Sequence, residues 1–198
     1  MSYLTLILCM AFAFVLGSIP FGLVIAKAIK GIDPRKAGSG NIGSTNVARL
    51  CGWPCGVLTL FCDIMKGTLP VLIAVHFMPE QFHQSLVALA AVLGHIKSPF
   101  LGFKGGKGVA STIGALIPLA FLPLLCAVAC FFVVVFITRY VSLSSMTMAV
   151  ALVVFYALFG YFQLLPLGIV LAVMIIWAHR SNIGRLMRGE ESKFVLKK

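Results

Sequence analysis

The chain has 198 residues, of which 61% are hydrophobic and 11% charged, and its mean hydropathy is +1.07. That apolar fraction exceeds what a water-soluble domain of this length can bury, so lipid is the solvent. The formal net charge of +11 does not point to nucleic acid, because the basic residues flank apolar runs and lack interleaved stacking aromatics. Membrane lipid headgroups and phosphorylated small molecules are the partners that such a charge fits.

A crossing helix needs roughly 20 apolar residues. The apolar runs predict seven transmembrane helices, over residues 3–26, 53–77, 84–101, 109–121, 122–140, 143–160 and 163–179, in one all-α integral membrane domain spanning 1–198. The first run has no positive residues before it and no small-residue cleavage site after it, so it is expected to remain as a span that begins outside. Residues 109–140 would make a single helix of roughly 48 Å, and Pro118 and Pro123 interrupt it, so the stretch divides there. The division leaves one short helix of about 18 Å after a glycine-rich loop, whose N-terminus must start inside the membrane profile. Irregular backbone at that depth is tolerated only against protein or a polar cavity, and a half-helix with its positive end in such a cavity holds anions.

Seven crossings also place the basic stretches 27–49, 97–107, 139 and 180–198 on one side, which the positive-inside pattern makes cytoplasmic, with the N-terminus outside and the C-terminus cytoplasmic. The loops rich in Gly, Ser, Asn and His lie in the same basic set. The six cysteines form neither a disulfide framework nor a metal site by spacing, since Cys51 and Cys55 fit no CxxC pair. They read as small apolar packing residues.

Three segments carry the chemistry. In the first, KAGSGNIGSTNVAR over 36–49, Gly38, Gly40 and Gly43 match GxGxxG, but the segment joins two membrane spans instead of a strand and a helix, which excludes a dinucleotide fold. Its glycines bare backbone amides, while Ser39, Asn41, Ser44, Thr45 and Asn46 add short donors beside Arg49, a set that suits phosphate; an ordinary flexible capping loop is the plainer alternative. The second segment, 94–112, contains Lys104, Gly105, Gly106, Lys107 and Gly108 at the start of the short helix. It is one residue short of a Walker A loop and has Gly108 where the magnesium-binding hydroxyl belongs, so it reads as an anion-binding turn built from amides, helix dipole and ammonium, or as lysines that reach headgroups.

The third segment, 179–194, follows the last span: His179 and Asn182, three apart, are expected on one helix face, where an imidazole can orient or deprotonate a hydroxyl. Arg185, Arg188, Lys193, Lys197 and Lys198 read as juxtamembrane charge. Ser142 follows Arg139 on the same side, as an anion-site hydroxyl or a helix cap. Asp63 and Lys66, at i and i+3 inside the second span, read as a buried pair that fixes packing.

At GSGNIGSTN with Arg49, GH followed by FKGGKGVAST, RYVSLSS, and HRSNIGRL with GEE, the sequence resembles the bacterial acyl-phosphate:glycerol-3-phosphate acyltransferases, the integral membrane PlsY family, over nearly its whole length. It departs from that pattern at Ser44, Pro99 and Ala178. The resemblance implies a seven-helix enzyme of the bacterial inner membrane with its site on the cytoplasmic side. Such an enzyme moves a fatty acyl group from a long-chain acyl phosphate to the 1-hydroxyl of glycerol 3-phosphate, giving lysophosphatidic acid and phosphate. It also implies that Ser39 and Arg49 are essential, that Lys104, Gly105, Gly106 and Lys107 lie at phosphate, and that His179, Asn182 and Glu190 belong to the third motif. An acyl phosphate is already activated, so the reaction demands no cofactor, metal or covalent intermediate. The general base is His179 or a substrate phosphate. No Asp lies five residues after any His, so the acyl-CoA-dependent HxxxxD signature is absent. The competing class is a membrane transporter of phosphorylated metabolites, which needs a polar path to the outside that the outer connections scarcely provide.

Overall fold

The structure is a computed structural model and describes residues 3–194; Lys197 and Lys198 lie outside the described residues. It divides into two compact units, Met1–Leu119 and Ala120–Lys198. Among the described residues the fold is all-helical, and five helices are long and apolar enough to cross a membrane, or six if the bent pair Phe162–Ala178 and Arg180–Met187 is one span. Their large exposed side chains, among them Leu4, Ile7, Phe12, Phe61, Phe136 and Ile137, face outward as lipid contact requires.

The first unit holds α1 (Tyr3–Ser18), α2 (Phe21–Lys30), α3 (Ser44–Cys51), α4 (Trp53–Phe77), α5 (Gln81–Ile96) and α6 (Val109–Leu116). The run expected as one helix over 3–26 is broken at Ile19 and Pro20. Pro20 has no N–H to continue the ladder, and the chain restarts with Leu23 and Val24 donating to the Pro20 carbonyl. The break takes the Ser18 and Ile19 carbonyls out of the helical ladder at membrane depth, where side-chain donors must serve them; Ile19 O keeps only the Phe21 amide from the backbone. Ser98 Oγ donates to Ser18 O at 2.6 Å and Lys66 Nζ donates to Ile19 O at 2.7 Å. A buried lysine inside a span is explained by that carbonyl together with Asp63, whose Oδ1 lies 2.7 Å from Nζ. α2, α3 and the start of α4 close over a small apolar core in which Cys51 and Cys55 pack with Ile25, Ala26 and Val47.

The crossing expected over 109–121 falls on α6, which has eight residues and is about 12 Å long, shorter still than the sequence suggests. It ends because Pro118 cannot donate to Gly114 O; Thr68 Oγ1 from α4 takes that carbonyl instead, at 2.9 Å. α6 lies backbone to backbone on α4, with Gly67 against Ser111 and Gly114 against Ile64, the small-residue packing that lets helices approach closely in lipid.

The second unit holds α7 (Phe121–Thr138), α8 (Val141–Leu158), α9 (Leu165–Ala178) and α10 (Arg180–Met187). α7 packs on α8, α8 on α9, and α9 meets α10 at a 58° bend. Arg139 closes α7 in the left-handed region, φ 62°, and its carbonyl accepts from Phe194 N at 2.7 Å, which ties the end of the described chain to the α7–α8 corner.

Candidate functional site

In the first unit the loop before α3 is organised by one side chain. Asn46 is 2% exposed, its Oδ1 accepts from Ser39 N at 2.9 Å, and its Nδ2 faces the carbonyls of Pro34, Ala37 and Asn41 at 3.0, 3.2 and 2.8 Å. Two amide protons shared among three acceptors leave nothing for a ligand. Asn46, expected at phosphate, is therefore the hub that shapes the loop. Asn41 is also engaged locally, its Oδ1 accepting from Gly43 N at 2.8 Å.

What the loop presents outward is Ser39 and Gly40, both exposed, with Thr45 in the first turn of α3 and the exposed Arg49 one turn further on. Positions i and i+4 share a helix face, so Thr45 and Arg49 lie on one face of a helix that has no acidic residue in its first turn. The loop's one acid is neutralised locally: hydrogen bonds from Arg35 hold the Asp33 carboxyl well below the usual carboxylate range.

The glycine-rich turn is built differently from the expectation. Gly105 N donates to Ile96 O and Gly106 N to His95 O, each at 3.0 Å, so these two amides hold the turn on the end of α5 and are not turned toward a ligand. Gly106 is glycine because a Cβ there would strike the Nε2 edge of the buried His95 ring. Gly108 takes φ 82° as the N-cap of α6, whose first-turn amides have no side-chain cap. The groups suited to an anion here are that helix end, the exposed Lys104 and the partly buried Lys107.

In the second unit the third segment is not one continuous helix. The bend falls at His179, which ends α9 and precedes α10, so His179 and Asn182 do not lie within one continuous helix as expected; Asn182 N donates to His179 O at 2.8 Å, and both side chains are buried. His179 is 2% exposed and its Nδ1 lies 2.8 Å from Ile175 O. A carbonyl only accepts, so Nδ1 carries a proton, and the neutral form of the ring has its lone pair on Nε2, the tautomer a proton acceptor needs.

After α10 the chain reverses at Gly189, φ 69°, with Glu190 N donating back to Arg185 O at 2.8 Å, a left-handed glycine closure of the helix end. The reversal returns Glu191, whose side chain is 9% exposed, to the cluster. Its Oε1 accepts from Asn182 Nδ2 at 2.6 Å and Ser142 Oγ at 2.7 Å, and its Oε2 from Arg185 Nε at 2.7 Å. Burial pushes this carboxyl up, but the hydrogen bonds from Ser142, Asn182 and Arg185 outweigh it and hold it below its ordinary value.

The organising carboxylate is thus Glu191, which the sequence reading passed over; Glu190 instead pairs with Arg188 at the surface, both more than half exposed. Ser142 makes no side-chain cap bond to α8, and its proton goes to the Glu191 carboxylate instead of outward to a ligand. A doubled acid in a basic tail was the available signal.

A family model described as glycerol-3-phosphate acyltransferase matches residues 7–189. Over 186 residues, 93% of this chain, a glycerol-3-phosphate acyltransferase of Nitratidesulfovibrio vulgaris is 52% identical, and the match spans 57% of that relative's length. Crystal structures of PlsY, an integral membrane glycerol 3-phosphate acyltransferase, are similar in its glycerol 3-phosphate form (TM-score 0.92, 42% identity) and its lysophosphatidic acid form (TM-score 0.90, 41% identity), each over 96% of both chains.

Proposed function

We propose, for a chain that belongs to the glycerol-3-phosphate acyltransferase family, that it is an enzyme of phospholipid synthesis transferring a fatty acyl group from acyl phosphate to the 1-hydroxyl of glycerol 3-phosphate. The products are lysophosphatidic acid and inorganic phosphate. The observation that carries this reading is the likeness, over 96% of both chains, to a structure in its glycerol 3-phosphate form. The basic loops support placing the reaction at the cytoplasmic face of the bacterial inner membrane, where both phosphorylated substrates arrive.

In this reading both substrates are anions, and fixed cations must hold them while the phosphate leaves. Ser39, Thr45 and Arg49 serve one phosphate, with the loop shape supplied by Asn46; the Gly40 amide, given to Ala37 O, serves that shape as well. Lys104, Lys107 and the N-terminal end of α6 serve the other. His179 Nε2 takes the proton of the attacking hydroxyl; a substrate phosphate, with a second pKa near 6, is the competing acceptor. The bond formed is the ester between the hydroxyl oxygen and the acyl carbon, the bond broken is the acyl–phosphate C–O bond, and the electron pair leaves on phosphate.

The test is purified protein in detergent or liposomes with radiolabelled glycerol 3-phosphate and either palmitoyl phosphate or palmitoyl-CoA. Lysophosphatidic acid formed from palmitoyl phosphate alone is the expected result. Acylation from palmitoyl-CoA, or uptake of label into sealed vesicles without acylation, overturns the reading. In the same assay His179→Ala should lower kcat at least 100-fold; a loss below tenfold assigns the proton to the substrate phosphate.

A further inference from the structure

One buried histidine lies under the glycine-rich turn and has no part in the chemistry above. His95 is 4% exposed in the last turn of α5, one residue before its end at Ile96. Its Nδ1 stands 3.8 Å from Asp63 Oδ1, too far for a hydrogen bond, and makes no hydrogen bond among the described residues. The opposite edge of the ring, at Nε2, faces the Gly106 backbone so closely that a Cβ there would collide with it. The same residue's carbonyl receives the Gly106 amide, and its neighbour Ile96 receives the Gly105 amide.

The imidazole is therefore wedged between a fixed floor and the turn. The floor is rigid for a stated reason. Asp63 is paired with Lys66, and Lys66 is anchored to the Ile19 carbonyl at the break between α1 and α2, while Ser98, just beyond α5, holds the adjacent Ser18 carbonyl. A ring in such a place sets the height of the 104–108 backbone. That height decides where Lys104, Lys107 and the first amides of α6 meet a phosphate.

We propose that His95 is the positioning residue of the 104–108 turn, a spacer standing on the Asp63–Lys66 pair that fixes the turn at the height needed to bind a phosphorylated substrate. The inference rests on the acyl-transfer reading and deepens it. A spacer acts on binding, because it moves the cradle and touches no reacting atom. It also makes residue 106 and the ring mutually exclusive in volume: a methyl group at 106 is tolerated only when the ring is gone.

The experiment measures kcat and KM for palmitoyl phosphate and for glycerol 3-phosphate in the purified wild type and in His95→Ala, His95→Gln, Gly106→Ala and the double variant His95→Ala with Gly106→Ala. His95→Ala should raise KM for one of the two substrates at least tenfold with kcat within threefold of wild type, and His95→Gln should recover most of that rise. Gly106→Ala should lose at least 100-fold in kcat/KM, and the double variant should regain at least tenfold over Gly106→Ala. The proposal is overturned if His95→Ala lowers kcat and leaves both KM values alone. Less folded protein with unchanged kinetics, or a double variant as poor as the product of the single losses, overturns it equally. A wild type that makes no lysophosphatidic acid is a different failure, that of the acyl-transfer reading itself.

Discussion

The two units satisfy their buried polar groups with opposite chemistry. In the first, the groups in need are carbonyls, left over where proline breaks a helix or where a loop folds on itself, and the answering side chains are donors: Lys66 and Ser98 at the α1–α2 break, Thr68 at the end of α6, and Asn46 under the loop before α3. In the second, a single acceptor, Glu191, collects the donors of Ser142, Asn182 and Arg185. The contrast follows from where each network sits. A broken helix inside a bilayer exposes carbonyls with no water to meet them, whereas a basic segment at the membrane boundary has donors in excess and needs a carboxylate.

The largest effect expected from breaking either network is at Lys66. Lys66→Met leaves Asp63 as an unpaired buried charge and Ile19 O with only the Phe21 amide, which costs about 3–5 kcal/mol. Adding Asp63→Asn should recover a good part of that loss by removing the stranded charge. Thermal unfolding of the detergent-solubilised variants reads both changes, and a single variant with an unchanged midpoint would refute the account of the break.

Asn46→Ala comes next. It removes the Asn46 bonds of the Pro34 and Asn41 carbonyls and of the Ser39 amide, while Ala37 O keeps the Gly40 amide, at about 1–3 kcal/mol for each group that water cannot reach. Water does reach an open loop, so about 2–4 kcal/mol in total is expected, with loss of transfer activity because Ser39 is no longer held. Asn46→Asp should do no better, since a second acceptor oxygen would face those carbonyls.

Much of this was legible in the sequence, and what was not has a common cause. Helix positions follow from runs of apolar residues, and the second span, over 53–77, coincides with α4. The short helix after the glycines was also readable, because Pro118 forbids continuation. Hidden were the partners that depend on tertiary placement. Nothing in GSTN says that the amide of Asn46 turns inward, and nothing in KGG says that two glycine amides are claimed by the end of α5. The bend at His179 was missed because the sequence there contains neither proline nor glycine.

Glu191 distinguishes the second network by its charge. Glu191→Gln keeps the shape but replaces one acceptor oxygen with a donor facing other donors, and about 1.5–3 kcal/mol is expected. The pH dependence separates the units further. Because the folded carboxyl is held below its ordinary 4.5, its contribution is fully present above that value and is lost as pH falls through the lowered one. Wild type should therefore destabilise in acid more steeply than Glu191→Gln, while Asn46→Ala should keep the wild-type slope. Unfolding midpoints taken from pH 7 down to pH 3 give the comparison.

The smallest effect tests which glutamate matters. Glu190 and Glu191 are adjacent and chemically identical, and a sequence motif cannot tell them apart by physics alone. The fold separates them, since the left-handed turn at Gly189 sends one side chain out to Arg188 and the next back to Asn182. An ion pair as exposed as that of Glu190 contributes about 0–1 kcal/mol. Glu190→Gln should shift the unfolding midpoint by less than half the shift of Glu191→Gln and leave transfer activity within about twofold, a change under roughly 0.5 kcal/mol. Should the order reverse, with Glu190→Gln the more damaging, the carboxylate that gathers Asn182 would be misassigned and the second network would have to be rebuilt around the other residue.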